Sequence, residues 1–125
     1  MSTILVVDDH PVNQRLLQYR LTSIGHSVLI ANNGLQALKI LNEPSNQTID
    51  LAIVDIAMPE MDGLTLLHQL RSSPQFQTLP IVMLTASGQE TDRQIAKAEG
   101  ANAFLTKPVS SWELTETIRR YLPAA

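Results

Sequence analysis

The sequence predicts a single α/β domain built on a five-stranded parallel sheet. Two observations carry this. Apolar runs alternate with helical apolar spacings five times along the chain. Three of the runs, at Ile4–Val7, Leu51–Val54 and Ile81–Leu84, are nearly all apolar. Such strands are buried on both faces, which requires helices above and below and right-handed crossovers between parallel neighbours. A length of 125 residues is enough for one hydrophobic core. There is no repeat, low-complexity tract or linker, so residues 1–125 are expected to form one domain.

The first strand lies in "TILVVDD", an apolar run from Thr3 that ends in acid at Asp9. Pro11–Gly25 has Val12, Leu16, Leu17, Leu21 and Ile24 at helical spacing, opened by Pro11 and closed by Gly25. Ser27–Ala31 is the second strand. Gly34–Glu43 is the second helix, with Leu35, Leu38 and Leu41 on roughly one face, and Pro44–Thr48 is a polar loop. Asp50–Asp55 is the third strand, and an Asp62–Gly63 turn starts the third helix, Gly63–Arg71. Pro80–Ala86 is the fourth strand, followed by a helix over Glu90–Gly100 with a glycine stop. Ala101–Thr106 is a weaker fifth strand. Ser110–Leu122 is a helix capped by Ser110 or Ser111, with Leu114, Ile118 and Tyr121 or Leu122 on its apolar face. Trp112 lies off that face, either as an exposed contact residue or folded back onto the fifth strand.

Composition narrows the function. The absence of cysteine removes disulfides, thiolate catalysis and cysteine-ligated metals, and it fits a cytoplasmic setting. Nine basic and 12 acidic residues give a formal net charge of -3. With no dense basic block, nucleic-acid binding by this domain is disfavoured. No apolar run approaches the length that crosses a bilayer. The start "MSTILVVDD" is too short and lacks the basic flank of a leader. Neither a phosphate-binding "GxxxxGK" loop nor a dinucleotide glycine fingerprint is present, so a nucleotide is not expected.

In an open parallel sheet, ligands bind at the carboxyl ends of the strands. Those ends deliver Asp8 and Asp9, Asp55, Thr85 and Ala86, and Thr106, Lys107 and Pro108. Clustered carboxylates repel one another, and a hard divalent cation relieves that repulsion. Oxygen donors without cysteine or a placed histidine favour Mg²⁺ over Zn²⁺. Lys107 and the Thr85 hydroxyl would then hold phosphate oxygens. His10 stands beside the acid pair, but nothing in the sequence orients it. His10, His26 and His68 are read as surface or partly buried residues, and Asp9 doubles as a cap for the helix opened by Pro11.

These pieces together resemble the receiver domain of two-component response regulators. The resemblance runs from about Ile4 to Leu122 through "VVDD", "VDIAMPEMDG", "LTA" and "FLTKP". It implies a doubly wound, flavodoxin-like (βα)5 fold with strand order 2-1-3-4-5. It also implies that Asp55 accepts a phosphoryl group from a phosphohistidine on a histidine kinase or histidine phosphotransfer protein. Asp8, Asp9 and Asp55 would position Mg²⁺, with the backbone carbonyl of Ala57 as a further ligand. Thr85 would contact the phosphoryl group and Lys107 would pair with it. Pro108 matches the family's proline, often preceded by a cis bond. Thr85 and Phe104 would form the switch, although Phe104 lacks the hydroxyl that many members carry there. Ala57 and Ser87 would border the path of the hydrolytic water, and Ala86 would support the site.

The opening "DDHPVNQRLLQ" is most similar to receivers of hybrid kinases and phosphorelays. The resemblance suits a stand-alone regulator or an excised module equally. It implies a switch that rearranges the fourth helix, fifth strand and fifth helix, with a downstream protein or a second copy met near Phe104 and Trp112. The domain would promote its own phosphorylation and dephosphorylation. A receiver-like binding module that accepts no phosphate is the alternative. A small Mg²⁺-dependent phosphatase is disfavoured, because position 57 is alanine and the chain has no room for a cap.

Overall fold

The computed structural model describes residues 2–43, 48–56, 62–85 and 90–122. Its elements alternate as predicted: β1 (Thr3–Val7), α1 (Pro11–Ser23), β2 (Ser27–Ala31), α2 (Gly34–Asn42), β3 (Leu51–Asp55), α3 (Gly63–Ser72), β4 (Ile81–Thr85), α4 (Glu90–Ala98), β5 (Ala103–Thr106) and α5 (Ser111–Tyr121). A short 3-10 turn at Pro74–Phe76 follows α3. The five strands form one parallel sheet in the order β2-β1-β3-β4-β5. This is the doubly wound, flavodoxin-like (βα)5 arrangement.

Strand periodicity divides the core in two. Leu5, Val7, Ala52, Val54, Ile81 and Met83 point to one face and pack with Ala37 and Leu41 of α2, Leu66, Leu67 and Leu70 of α3, and Ala96 of α4. Their neighbours Ile4, Val6, Leu51, Ile53, Val82 and Leu84 point to the other, against Leu17 and Leu21 of α1 and Leu114 and Ile118 of α5. Each fully buried Leu or Ile contributes about 1.5–3 kcal/mol of transfer free energy.

Two helical faces differ from the sequence pattern. In α1 only Leu17 and Leu21 are buried, while Val12 is 76%, Leu16 45% and Ile24 38% exposed. One strip of this helix meets the sheet, and the other apolar residues lie beside it. In α2 the buried face is Gly34, Ala37 and Leu41, and Leu35 is exposed. Successive i, i+3 steps lag a full turn by about 60° each, so Leu35 has rotated away from Leu41.

The helix ends are set by particular groups. Ser110 accepts from Glu113 N at 3.0 Å and Asp62 from Thr65 N at 2.8 Å. Gly25 and Gly100 adopt φ of +97° and +99°, in the left-handed region that glycine tolerates. The N-cap of α1 is His10, not Asp9, and it makes no side-chain capping bond. Strand β5 begins at Ala103, because the Asn102 side chain takes the Ile81 N–H at the start of β4. The Asn102 side-chain oxygen accepts from Ile81 N at 2.8 Å and from Arg71 at 2.9 Å, and Tyr121 donates to its carbonyl at 2.7 Å. Trp112 is 72% exposed, which decides between its two readings.

His26 is buried, and its Nδ1 has no hydrogen-bond partner among the described residues. Burial is the main cause that lowers its pKa below the ordinary 6.5, with Asp50 acting in the opposite sense. The folded state therefore binds this proton less readily than the unfolded state. The stability is fully present above about pH 6.5 and is lost as pH falls through the lowered folded value, by at most about 1.4 kcal/mol per pH unit. Urea unfolding between pH 7.5 and 5 should show a shallower loss in His26→Gln than in the wild type.

Candidate functional site

The carboxyl ends of β1, β3 and β5 bring Asp8, Asp9, Asp55 and Lys107 together. Strand β1 ends at Val7, and Asp8 N continues its ladder by donating to Ala31 O at 3.1 Å. The Asp8 carboxylate is fully buried. Its Oδ1 accepts from His10 N at 2.9 Å and its Oδ2 from Lys107 Nζ at 3.3 Å. Gln14 donates to the Asp8 carbonyl, and its amide also meets Asn32. These bonds offset the cost of burying the charge.

Asp55 is the last residue of β3 and only 3% exposed. Its Oδ1 lies 3.4 Å from Lys107 Nζ, so one ammonium bridges Asp8 and Asp55. Lys107 is fixed from its backbone as well, because Lys107 N donates to Thr85 O at 2.7 Å. Thr85 ends β4, is buried, and pairs in register with Thr106. The Lys107–Pro108 peptide bond is cis.

The chain leaves β3 under a close constraint. Ile56 N donates to Leu84 O, and Gly63 N donates to Ile56 O, both at 2.8 Å. A Cβ on Gly63 would stand 2.3 Å from Asp55 O and 2.8 Å from Ile56 Cα. Only glycine lets α3 start against the backbone that carries Asp55. The sequence showed a turn here but not this contact, which depends on chain segments meeting in space.

Phe104 lies on β5 and is half-buried against the core. The Arg93 guanidinium sits 5.2 Å from its ring centroid, which gives this aromatic a partner without a hydroxyl. Ala57, Ala86 and Ser87 lie outside the described residues. His10 was given no role by the sequence. The structure turns its ring onto the acids, with Nδ1 3.4 Å from Asp8 Oδ1 and 3.0 Å from Asp9 Oδ1. The available signal was its position directly after Asp9.

Asp8, Asp9, His10 and Asp55 each offer a ligand atom, all within 4.8 Å of one another. Asp9 Oδ1 is buried and makes no hydrogen bond among the described residues. Three carboxylates lie together, and Lys107 pairs with two of them, Asp8 and Asp55. That combination fits a hard divalent cation.

A family model described as "Response regulator receiver domain" matches residues 4–119. An uncharacterized 14.6 kDa protein of Leptolyngbya boryana is 42% identical over 94% of this chain and 88% of its own length. The sensor histidine kinase RcsC of Salmonella typhi is 40% identical over 94% of this chain, which spans only 12% of that kinase. Among solved structures, the receiver domain of sensor histidine kinase PA1611 from Pseudomonas aeruginosa, with a magnesium ion in its active-site cleft, is 31% identical with a TM-score of 0.85 over 96% of each chain. The Mn²⁺-bound response regulator Rcp1 is 26% identical with a TM-score of 0.83, over 97% of this chain and 94% of its own.

Proposed function

The chain belongs to the response regulator receiver domain family and is a phosphorylation-dependent signalling switch; on that premise we propose that Asp55 accepts the phosphoryl group from a phosphohistidine of a histidine kinase or histidine phosphotransfer protein. The observation that carries this is the Lys107 ammonium bridging Asp8 and Asp55 at the strand ends. We read residues 1–125 as one receiver unit. A kinase-derived phosphoryl group implies a cytoplasmic setting. Among the described residues, no helix is long and apolar enough to cross a membrane.

The reaction is an in-line displacement. A carboxylate oxygen of Asp55 attacks phosphorus, the P–N bond of the phosphohistidine breaks, and its electron pair returns to the imidazole. The product is an aspartyl phosphate. Lys107 leaves its ion pair with Asp55 to meet the oxygens of the arriving group, and Thr85 offers its hydroxyl to another. Asp8, Asp9 and Asp55, with the Ala57 carbonyl, would hold Mg²⁺, which supplies charge neutralisation for the transferred oxygens when bound. Reversal is attack by water in line with the Asp55–phosphorus bond, with Ala57 and Ser87 beside its path and Ala86 and Pro108 supporting the site.

The phosphodonor protein meets the α1 side of the site. Val12 and Tyr19 are exposed there, and a cleft of about 250 Å³ between Leu16, Arg20, Lys107, Pro108 and Val109 opens beside them. The added group, of about -2 charge, biases Thr85 and Phe104. The α4, β5 and α5 face then changes its arrangement toward a downstream protein or a second copy of the chain.

Incubation with acetyl phosphate and Mg²⁺ should add roughly 80 Da to the intact mass, and EDTA should prevent it. Absence of any addition in folded protein would favour the phosphate-independent binding module. Lys107→Ala should slow the addition by roughly 100-fold, the scale of one lost charge-stabilising donor, as read from time courses of intact mass.

A further inference from the structure

Building on the reading of Asp8, Asp9 and Asp55 as holders of a divalent ion, we propose that His10 contributes a ring nitrogen to the same site. It would thereby extend the site's preference from Mg²⁺ toward ions that accept nitrogen, such as Ni²⁺. The placement is made by the backbone. His10 is the extended residue before α1, with φ -97° and ψ 118°. Its N–H donates to Asp8 Oδ1, which folds the residue back over the carboxylates.

The ring nitrogen Nδ1 then stands 3.0 Å from Asp9 Oδ1. Asp9 Oδ1 is itself buried, with no hydrogen-bond partner among the described residues. Two ligand atoms held side by side, within 4.8 Å of the carboxylates of Asp8 and Asp55, can turn to a common centre. The spacing agrees with that. Adjacent donors at about 2.1 Å from an octahedral ion, set at right angles, are about 3 Å apart. The His10 ring is 64% exposed, so no packing opposes a small turn toward an ion.

Donor chemistry sets the consequence. Carboxylates and carbonyls suit Mg²⁺, whereas imidazole suits Ni²⁺ and other borderline ions. Loss of the ring should therefore weaken one class of ion and spare the other.

The test is calorimetric titration of Mg²⁺ and of Ni²⁺ into the full chain, as wild type, His10→Ala and Asp8→Asn. His10→Ala should lower Ni²⁺ affinity by about 10- to 100-fold and change Mg²⁺ affinity by less than about twofold. Excess Mg²⁺ should displace Ni²⁺ from the wild type, placing both ions in one site. With Mn²⁺ bound, pulsed electron paramagnetic resonance should detect a ¹⁴N coupling that disappears in His10→Ala. An unchanged ratio of Ni²⁺ to Mg²⁺ affinity and no ¹⁴N coupling, with Mg²⁺ binding intact, overturns the role of His10 and leaves the acid site standing. Failure of the wild type to bind Mg²⁺ overturns the acid site itself. Ni²⁺ binding that survives Asp8→Asn and resists Mg²⁺ belongs to another place, such as His68 beside Glu99 at 2.8 Å, and counts against the proposal.

Discussion

Asp55→Asn should abolish the mass addition from acetyl phosphate entirely, while the protein stays folded. Replacing one carboxylate oxygen by an amide removes the nucleophile and keeps the shape of the side chain. Asp55 is 3% exposed and closes an apolar strand, so the neutral amide sits in the same space. The charge balance also favours survival. Asp8, Asp9 and Asp55 lie close together, Lys107 pairs with Asp8 and Asp55, and removing one of the three acids relieves repulsion. Thermal unfolding in EDTA should therefore show no loss of stability, and the gain in midpoint on adding Mg²⁺ should shrink. An addition that persists in Asp55→Asn would place the acceptor elsewhere, with Asp8 and Asp9 as the next residues to replace.

Gly63→Ala should destabilise the domain at the upper end of the roughly 1–3 kcal/mol typical of overpacking. The atoms in the way are Asp55 O and Ile56 Cα, which are backbone and cannot rotate aside. Either α3 moves off the sheet or the end of β3 shifts. The first loses packing of Leu66 and Leu67 against the core. The second moves the residue that carries the acceptor carboxylate. Urea unfolding measures the stability loss. Time courses of intact mass should show slower phosphorylation under conditions in which the variant remains folded. A Gly63→Ala protein as stable and as fast as the wild type would mean that this approach is not the constraint described.

The sheet and most of the site were legible because both are written in local pattern. Asp8, Asp55 and Thr85 each follow an apolar run, so the strand that places each residue also points to it. Lys107 follows a weaker run, and it was Pro108 beside it that supported the assignment. Other features arise from relations between distant segments. The Gly63 contact needs α3 to start where β3 ends. The role of Arg71, which donates to Gly100 O, Phe76 O and the Asn102 side chain, needs the end of α3, the Phe76 turn and the connection between α4 and β5 to meet. His10 drew no assignment because its orientation depends on backbone angles that composition does not encode. In α2, the repeated leucines suggested a face that a helix of 3.6 residues per turn rotates out of alignment.

The contact between Lys107 and Asp8 joins residues 99 positions apart and runs from the edge strand side to the centre of the sheet. Contacts of such separation carry the largest loop-closure cost and form only when the intervening chain is organised. No single βα unit contains both groups, and neither does any run that lacks the first or last strand. An ion that needs the finished arrangement of acids binds the native state alone. Its free energy therefore adds to global stability by mass action, so the unfolding midpoint should rise with ion concentration. The ion site is thus completed only when the sheet is complete.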